Sequence, residues 1–381
     1  MKYWIQLSLH HLPFLLIEII IKMTPETKNI CLFNSCKSWG GGEKWHYETA
    51  FRLTERKYNV IICCQPGSEI YSRIKDSRIP AYKFRIHNLS FLNPFLLLRL
   101  AFFVRRHQIH TVILGLPSDV KAVGLASKLA GVKNIIYRRG TALPVHNTFL
   151  NRFLFRRVIT RVLANSGEIK KRFLENNPLL IDEERINVLY NGVKINGLSF
   201  NRKDSGQEVL IGNAGRLVEQ KGQRFLIDLA RELNNKSINF KVLIAGKGPL
   251  RKSLEEYASL NQVKDKISFL DFVENIDSFL EKIDIFVLPS LHEGSANILI
   301  EAMAKAKPVV AFNISSIPEI VMHGETGFLA EFGNVQQLTD YVCKLVEDIE
   351  LRKKIGERAY HHISEKFNAK QQFEKLLTLL N

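Results

Sequence analysis

The chain reads as an α/β protein of two doubly wound parallel sheets, and three observations carry that reading. Short apolar runs alternate with longer helical patterns from end to end, the sequence form of repeated strand–helix–strand units. The runs are continuously apolar rather than alternating, which marks parallel strands covered on both faces. The scheme also occurs twice, with the polar, aperiodic stretch KINGLSFNRKDSGQE (194–208) between the two sets, and such a stretch makes a natural linker. A length of 381 residues suits two domains of this kind.

In the first half the predicted strands are NICLFN (29–34), NVIICC (59–64), TVILG (111–115), NIIYR (134–138) and RVLAN (161–165). In the second they are VLIGNAG (209–215), KVLIAG (241–246), KISFLD (266–271), DIFVLPS (284–290) and PVVAF (308–312). The segments between them are long enough for crossover helices. Ahead of the first strand, Leu12–Ile21 is apolar but interrupted by Glu18. It is too short to span a bilayer and lacks a small-residue cleavage pattern, so residues 1–22 are set apart as an N-terminal extension.

Composition narrows the class. A hydrophobic fraction of 46% with 24% charged residues is globular and argues against wholesale disorder. Five cysteines without a C-x-x-C spacing point away from a disulfide framework or a zinc site and toward a reducing cytosol. The net charge of +16 is uneven: residues 1–200 hold 30 Lys+Arg against 13 Asp+Glu, and the remainder 24 against 25. Halves of such different charge are expected to be domains with different partners. A basic surface alone suits nucleic acid, acidic lipid or a phosphorylated substrate equally.

In doubly wound sheets ligands sit at the carboxyl ends of the strands, so the loops there hold the information. GNAGRLVEQKG brings Gly215, Arg216 and Lys221 to that edge, AGKGPL brings Gly246, Lys247 and Gly248, and PSLHEGSAN brings Ser290, Glu293, Gly294 and Ser295. Glycines allow close backbone approach, and Arg with Lys supplies charge to phosphate oxygens. Three such loops converging on one edge favour a phosphorylated ligand. Within HEGSANILIEAMAKAKPVVAF, Glu293 precedes a predicted helix and Glu301 lies inside it, eight residues on. Taken alone, that pair reads first as an N-cap glutamate followed by a helix-surface glutamate, ahead of two carboxylates rimming one pocket.

Taken together, GRLVEQKG, AGKGPL, LPSLHEGSANILIEAMAKAKPVVAF and IPEIVMHGETGFL resemble the second domain of the retaining glycosyltransferases of family 4, which have the GT-B fold. SWGGGE (38–43), ANS (164–166) and VLYNGV (188–193) match the first domain of that family in kind and order. The resemblance covers roughly residues 28–380. It implies two Rossmann-like domains facing a central cleft, with an acceptor-side domain at 23–198 and a nucleotide-sugar-binding domain at 199–362. A C-terminal helix at 363–381 is implied to cross back onto the first domain.

Carried over by position, the resemblance has Arg216 and Lys221 holding the donor diphosphate, Glu301 binding the ribose hydroxyls and Glu293 facing the donor sugar. Backbone N–H groups of Gly294, Ser295 and Ala296 would lie near the phosphate or sugar, with Gly246 at the neighbouring strand end. Gly41 and Gly42 would close over the donor from the other domain. The implied chemistry is transfer with retention, driven by Glu293, Arg216 and Lys221, with no cofactor beyond the donor itself. The chain contains no D-x-D sequence, and a cationic clamp can neutralise the leaving group without a metal ion.

The sequence departs from the family in two places. Ser295 and Ala296 stand where many members have Phe-Gly or x-Pro, which leaves the donor sugar open. The histidine that many members place after the fifth first-domain strand is replaced in YRRGTALPVHN by Arg138 or Arg139, and His146 lies too far along to stand in for it. Arginine binds a phosphate or carboxylate but does not act as a base. Alternation along the strand sends the two arginines opposite ways. The adjacent Gly140 selects Arg139 as the acceptor-side candidate, with Glu43 as its alternative internal partner.

Two basic-aromatic segments, FLNRFLFRRVITR (149–161) with Arg152, Arg156 and Arg157, and NPFLLLRLAFFVRRHQ (93–108), read either as buried crossover helices with solvated ends or as surfaces for anionic lipid. The expected protein is therefore a cytoplasmic enzyme at the inner face of the plasma membrane. It would transfer a sugar to a glycan or lipid-linked acceptor in lipopolysaccharide or capsule synthesis. Two other readings stand beside it. A GT-B 2-epimerase would want catalytic acids and histidines that the first-domain loops scarcely offer. A basic nucleic-acid-binding protein would need stacking platforms or a helix-turn-helix, neither of which is legible.

Overall fold

The computed structural model describes residues 28–195, Gly197 and residues 208–380. The N-terminal extension at 1–22 and most of the linker at 194–208 lie outside the described residues. The described chain falls into two compact units, one ending at Ile135 and one beginning at Ile136.

The ten predicted strands are all present, each to within two residues at either end. They are β1 (Asn29–Asn34), β2 (Asn59–Cys64), β4 (Thr111–Leu114), β5 (Asn134–Arg139), β6 (Arg161–Ala164), β8 (Val209–Ala214), β9 (Phe240–Ala245), β10 (Ile267–Leu270), β11 (Ile285–Leu288) and β12 (Val309–Phe312). The structure adds β3 (Ala81–Lys83), β7 (Ile186–Val188) and β13 (Gly327–Ala330). The seven-stranded sheet runs β3-β2-β1-β4-β5-β6-β7 and the six-stranded sheet β10-β9-β8-β11-β12-β13. The ladders are parallel. The three added strands are all edge strands. An edge position needs no long apolar run, which is why none announces them.

The helices that matter below are α1 (Gly41–Glu55), α2 (Pro94–Arg106), α3 (Phe149–Phe153), α4 (Gly167–Leu174), α5 (Asn297–Met303), α6 (Ile317–Ile320), α7 (Ile349–Lys366) and α8 (Ala369–Leu380). The second sheet shows why its strands are apolar throughout. Ile285 and Val287 of β11 pack with Leu226, Leu229 and Val310 on one face. Phe286 and Leu288 pack with Leu299, Ile300 and Met303 on the other. Successive residues point to opposite faces, and here both faces are covered.

The C-terminal segment corrects one expectation. It is helical, but it breaks at Phe367–Asn368 between α7 and α8. Phe367 is fully buried, and Asn368 forms a parallel bridge with Val193. The Asn368 side chain accepts from Lys370 N at 2.9 Å and so restarts the helix. Ala369 then lies so close to Gly192 that a Cβ there would sit 2.4 Å from its Cα. The tail is thus tied to the segment that follows the last strand of the first sheet.

Candidate functional site

Register sets the floor of the site. Ala214 of β8 pairs with Ala245 of β9, and Ala245 with Leu270 of β10, so the following loops leave the sheet side by side. Gly215 N donates to Ala245 O at 2.9 Å. Gly246 has φ +139°, and a Cβ there would lie 1.9 Å from Gly215 O. Only glycine permits that approach. Gly222, at φ +62°, lies equally close to Pro289 O, so the loop after β8 folds down onto the loop after β11. Two further bonds lace them together: Leu291 N to Gln220 O at 2.8 Å and Gln220 Nε2 to His292 O at 2.9 Å.

That lacing brings together two residues 72 positions apart in sequence. Lys221 Nζ donates to Glu293 Oε1 at 2.6 Å, and Ser290 Oγ donates to the same oxygen at 2.7 Å. The Glu293 side chain is 6% exposed and Lys221 19%. Both partners sit on Oε1, and Oε2 has no hydrogen-bond partner among the described residues. A buried carboxylate held on one oxygen by an ammonium and a hydroxyl is fixed in place with its second oxygen still able to accept.

The other candidate donor-site residues take distinct places. Arg216 is exposed on the loop after β8, and its carbonyl accepts from Gln223 Nε2 at 2.9 Å. Ala296, nearly fully buried, caps α5 without a side-chain bond, and Glu301 is half-buried in the second turn of that helix. Gly294 packs on Gly140, where a Cβ would meet Gly140 O at 2.7 Å, and its own carbonyl accepts from Ser166 Oγ at 3.0 Å. In the unit ending at Ile135, Gly41 and Gly42 open α1 rather than forming a free loop. Glu43 is buried in the same turn and accepts from Asn34 Nδ2 at 3.4 Å.

The two arginines that end β5 reverse the expectation. Arg139 is buried, its guanidinium donating to Leu143 O and, at 3.2 Å, to Tyr137 Oη, with its carbon 5.2 Å from the Phe173 ring centre. The loop after Gly140 folds back over Arg139 and takes up one of its donors through Leu143 O, while its buried Nε has no hydrogen-bond partner among the described residues. Arg138, pointing the other way, donates to Asn191 Oδ1 at 2.6 Å. Asn191 Nδ2 donates to Asn297 Oδ1 at 2.8 Å, and Ser295 Oγ donates to that same oxygen at 2.9 Å. Arg138, not Arg139, therefore connects to the loop that carries Glu293. His146 is exposed before α3.

Sequence reasoning did not single out Asn191, Asn297, Ser166 and Glu319 as individual residues, although each lies in a stretch quoted for the resemblance. Ser166 caps α4, accepting from Ile169 N at 3.1 Å. Glu319 of α6 accepts from Gly167 N at 2.7 Å and Glu168 N at 2.6 Å, the first N–H groups of α4. A carboxylate belongs there, because those donors have no partner within the helix and carry its positive end. Tyr190 Oη also donates to Glu319, at 3.1 Å. Burial first, and the Glu319 charge second, push its phenol up to about 12. Among the described residues no three His, Cys, Asp or Glu side chains are grouped to hold a metal ion. No described helix is long and apolar enough to cross a membrane.

Comparison with known proteins agrees with this layout. Residues 198–362 match the family described as glycosyl transferases group 1, and residues 39–196 match glycosyltransferase family 4. A capsular polysaccharide biosynthesis glycosyltransferase of Staphylococcus aureus, CapM, is 30% identical over 237 residues, 58% of this chain and 61% of that protein. The chain thus matches about three fifths of that relative's length. Among solved structures, a glycosyltransferase from Rickettsia africae superposes with a TM-score of 0.82 at 21% identity, over 93% of this chain and 98% of that one. HepE of Anabaena, solved with UDP, superposes with a TM-score of 0.80 at 20% identity, over 93% and 99%.

Proposed function

The chain belongs to family 4 of the glycosyltransferases, the glycosyl transferases group 1, with the GT-B fold, and from that premise we propose that it moves a sugar from a nucleotide-diphosphate sugar to a glycan or lipid-linked acceptor. The proposed setting is bacterial surface-polysaccharide synthesis, lipopolysaccharide or capsule, at the cytoplasmic face of the plasma membrane. The observation that carries the reading is the Lys221–Glu293 pair at 2.6 Å, held where glycine-lined loops converge on one sheet edge. HepE was solved in complex with UDP, and the S. aureus relative is named for capsule synthesis. Both support this choice of donor class and setting. The division into 23–198 on the acceptor side, 199–362 on the donor side and the tail at 363–381 is part of the proposal.

In this reading Glu293 Oε2 accepts from a hydroxyl of the donor sugar, while Lys221 and exposed Arg216 face the diphosphate. Glu301 takes the ribose hydroxyls. Gly246 and the backbone N–H groups of Gly294, Ser295 and Ala296 lie beside the phosphates. The bond from the anomeric carbon to the phosphate oxygen breaks as the acceptor oxygen attacks from the same face. The acceptor's proton passes to the departing phosphate oxygen, so configuration is retained. Charge building on that phosphate is what the two cations stabilise. Arg138 replaces Arg139 as the acceptor-side candidate, because its network reaches Ser295 and Asn297.

The test is to incubate the protein with a panel of nucleotide-sugars and follow donor hydrolysis and transfer by mass spectrometry, with and without EDTA. Turnover of at least one donor that survives chelation is expected. Hydrolysis of none, or activity abolished by EDTA and restored by a divalent ion, would overturn the donor assignment or the metal-free clamp respectively.

A further inference from the structure

Helix α2 carries an apolar face that nothing among the described residues of its own unit covers. Its inner side is ordinary: Leu100 and Val104 are buried, and Phe103 stacks edge-on with Tyr82 and Phe84. Its outer side should then be polar, as on any surface helix. It is not. Phe95 is 82% exposed, Leu98 64% and Phe102 65%, and just upstream Leu89 and Leu92 are 70% and 66% exposed. Residues 95, 98 and 102 are spaced i, i+3, i+7 and so form one stripe along the helix. Exposed large apolar residues are normal singly, but a contiguous stripe marks a surface that meets something apolar.

The charge around the stripe says what that something is. Arg99 and Arg106 lie beside it on one flank and Arg105 on the other, at the angles their spacing sets on a helix. Arg105 and Arg106 form no ion pair among the described residues. Between Asp76 and Asp119 the chain holds six Lys+Arg and not one acid. A protein partner of mixed surface would leave those cations unmatched, and a nucleic acid would leave the phenylalanines in water. A bilayer with anionic headgroups matches both, since apolar side chains enter the acyl boundary while arginines stay at the phosphate level. At 13 residues α2 is too short to cross, so it would lie in the interface plane.

We propose that α2 with residues 89–92 is the element by which this chain docks on an anionic membrane. This deepens the membrane-surface part of the function proposed above and specifies where the contact is made. The other basic segment, around α3, has two of its arginines engaged with the protein: Arg152 with Asn147 Oδ1, and Arg156 twice with Leu179 O.

The experiment is sedimentation of the full chain with vesicles of phosphatidylcholine carrying phosphatidylglycerol. Phe95→Ser, Leu98→Ser and Phe102→Ser combined should weaken partitioning about a hundredfold, because each side chain loses about half of its full burial gain. Arg99→Ser, Arg105→Ser and Arg106→Ser should each weaken it about fivefold at low salt, an effect that fades as salt rises. All of these residues are exposed, so melting temperature and donor hydrolysis should stay near wild type. Those two readouts separate failure of this proposal from failure of the enzymatic one. Wild-type protein that does not bind the vesicles, or an apolar triple variant that binds like wild type, overturns it. A second arm attaches an environment-sensitive fluorophore at Phe95→Cys. A shift to the blue on adding anionic vesicles supports docking. A fluorophore already in an apolar site without lipid would mean that the chain's own N-terminal stretch or a second copy covers the stripe, and that also overturns it.

Discussion

Breaking the Lys221–Glu293 pair from one side should cost far more than removing both charges together. With 2.6 Å between Nζ and Oε1, Coulomb attraction is about 6 kcal/mol at an effective dielectric near 20. Desolvation of a carboxylate only 6% exposed offsets much of that, so the intact pair adds little net stability. Lys221→Met removes the attraction but not the desolvation, leaving the charge with Ser290 alone. The expected loss is about 3–5 kcal/mol, or a fall in melting temperature on the order of 10 °C for a unit of this size. Glu293→Gln with Lys221→Met should recover most of that stability yet leave glycosyl transfer abolished, because in the proposed mechanism both variants lack one of the two cations that face the diphosphate. Thermal and urea unfolding of the two single variants and the double variant closes the cycle. Costs that add to within about 0.5 kcal/mol would refute the reasoning, since they would mean the carboxylate does not depend on its partner.

Arg138→Ala should cut transfer about a hundredfold or more while donor hydrolysis persists, whereas Arg139→Ala should lower the melting temperature by several degrees, because its buried contacts are to Leu143, Tyr137 and Phe173; the reverse pattern in parallel kinetics and melts would return the acceptor role to Arg139. Asp119 is buried against Ser35 and Leu116, and burial, outweighing the hydrogen bonds it accepts, raises its carboxyl from 3.8 to about 7. The folded state then holds a proton that the unfolded chain has released, so this group's contribution is full below about pH 4 and is lost as pH rises to about 7, at up to about 1.4 kcal/mol per pH unit; Asp119→Asn should flatten that decline in urea melts across pH 4–7.

The strands were legible because burial on both faces writes itself as an unbroken apolar run, as in NICLFN and NVIICC. The edge strands β3, β7 and β13 were not, because a three- or four-residue strand covered on one edge needs no such run. In the site, Glu293, Lys221 and the loop glycines could be placed together from their positions at strand ends. The bond between Lys221 and Glu293 could not, because it depends on how Gly222 turns against Pro289. The choice between Arg138 and Arg139 depended on a longer-range partner still. Local chain direction at Gly140 pointed to one arginine, while Asn191, more than fifty residues on, engages the other.

The seam that joins residues 138–191 to the loop bearing Glu293 and to Glu319 includes a chain of hydrogen bonds: Arg138–Asn191–Asn297, Ser166 to Gly294, and Gly167 and Glu168 to Glu319. Water can replace each of these partners at a net cost of only about 0.5–1.5 kcal/mol, or somewhat more where a charge takes part. The same seam also holds apolar contact, with the Tyr190 and Phe367 rings 4.8 Å apart and Val193 packed on the second sheet's core, so breaking it would expose oil-like as well as polar surface and raise the heat capacity as unfolding does.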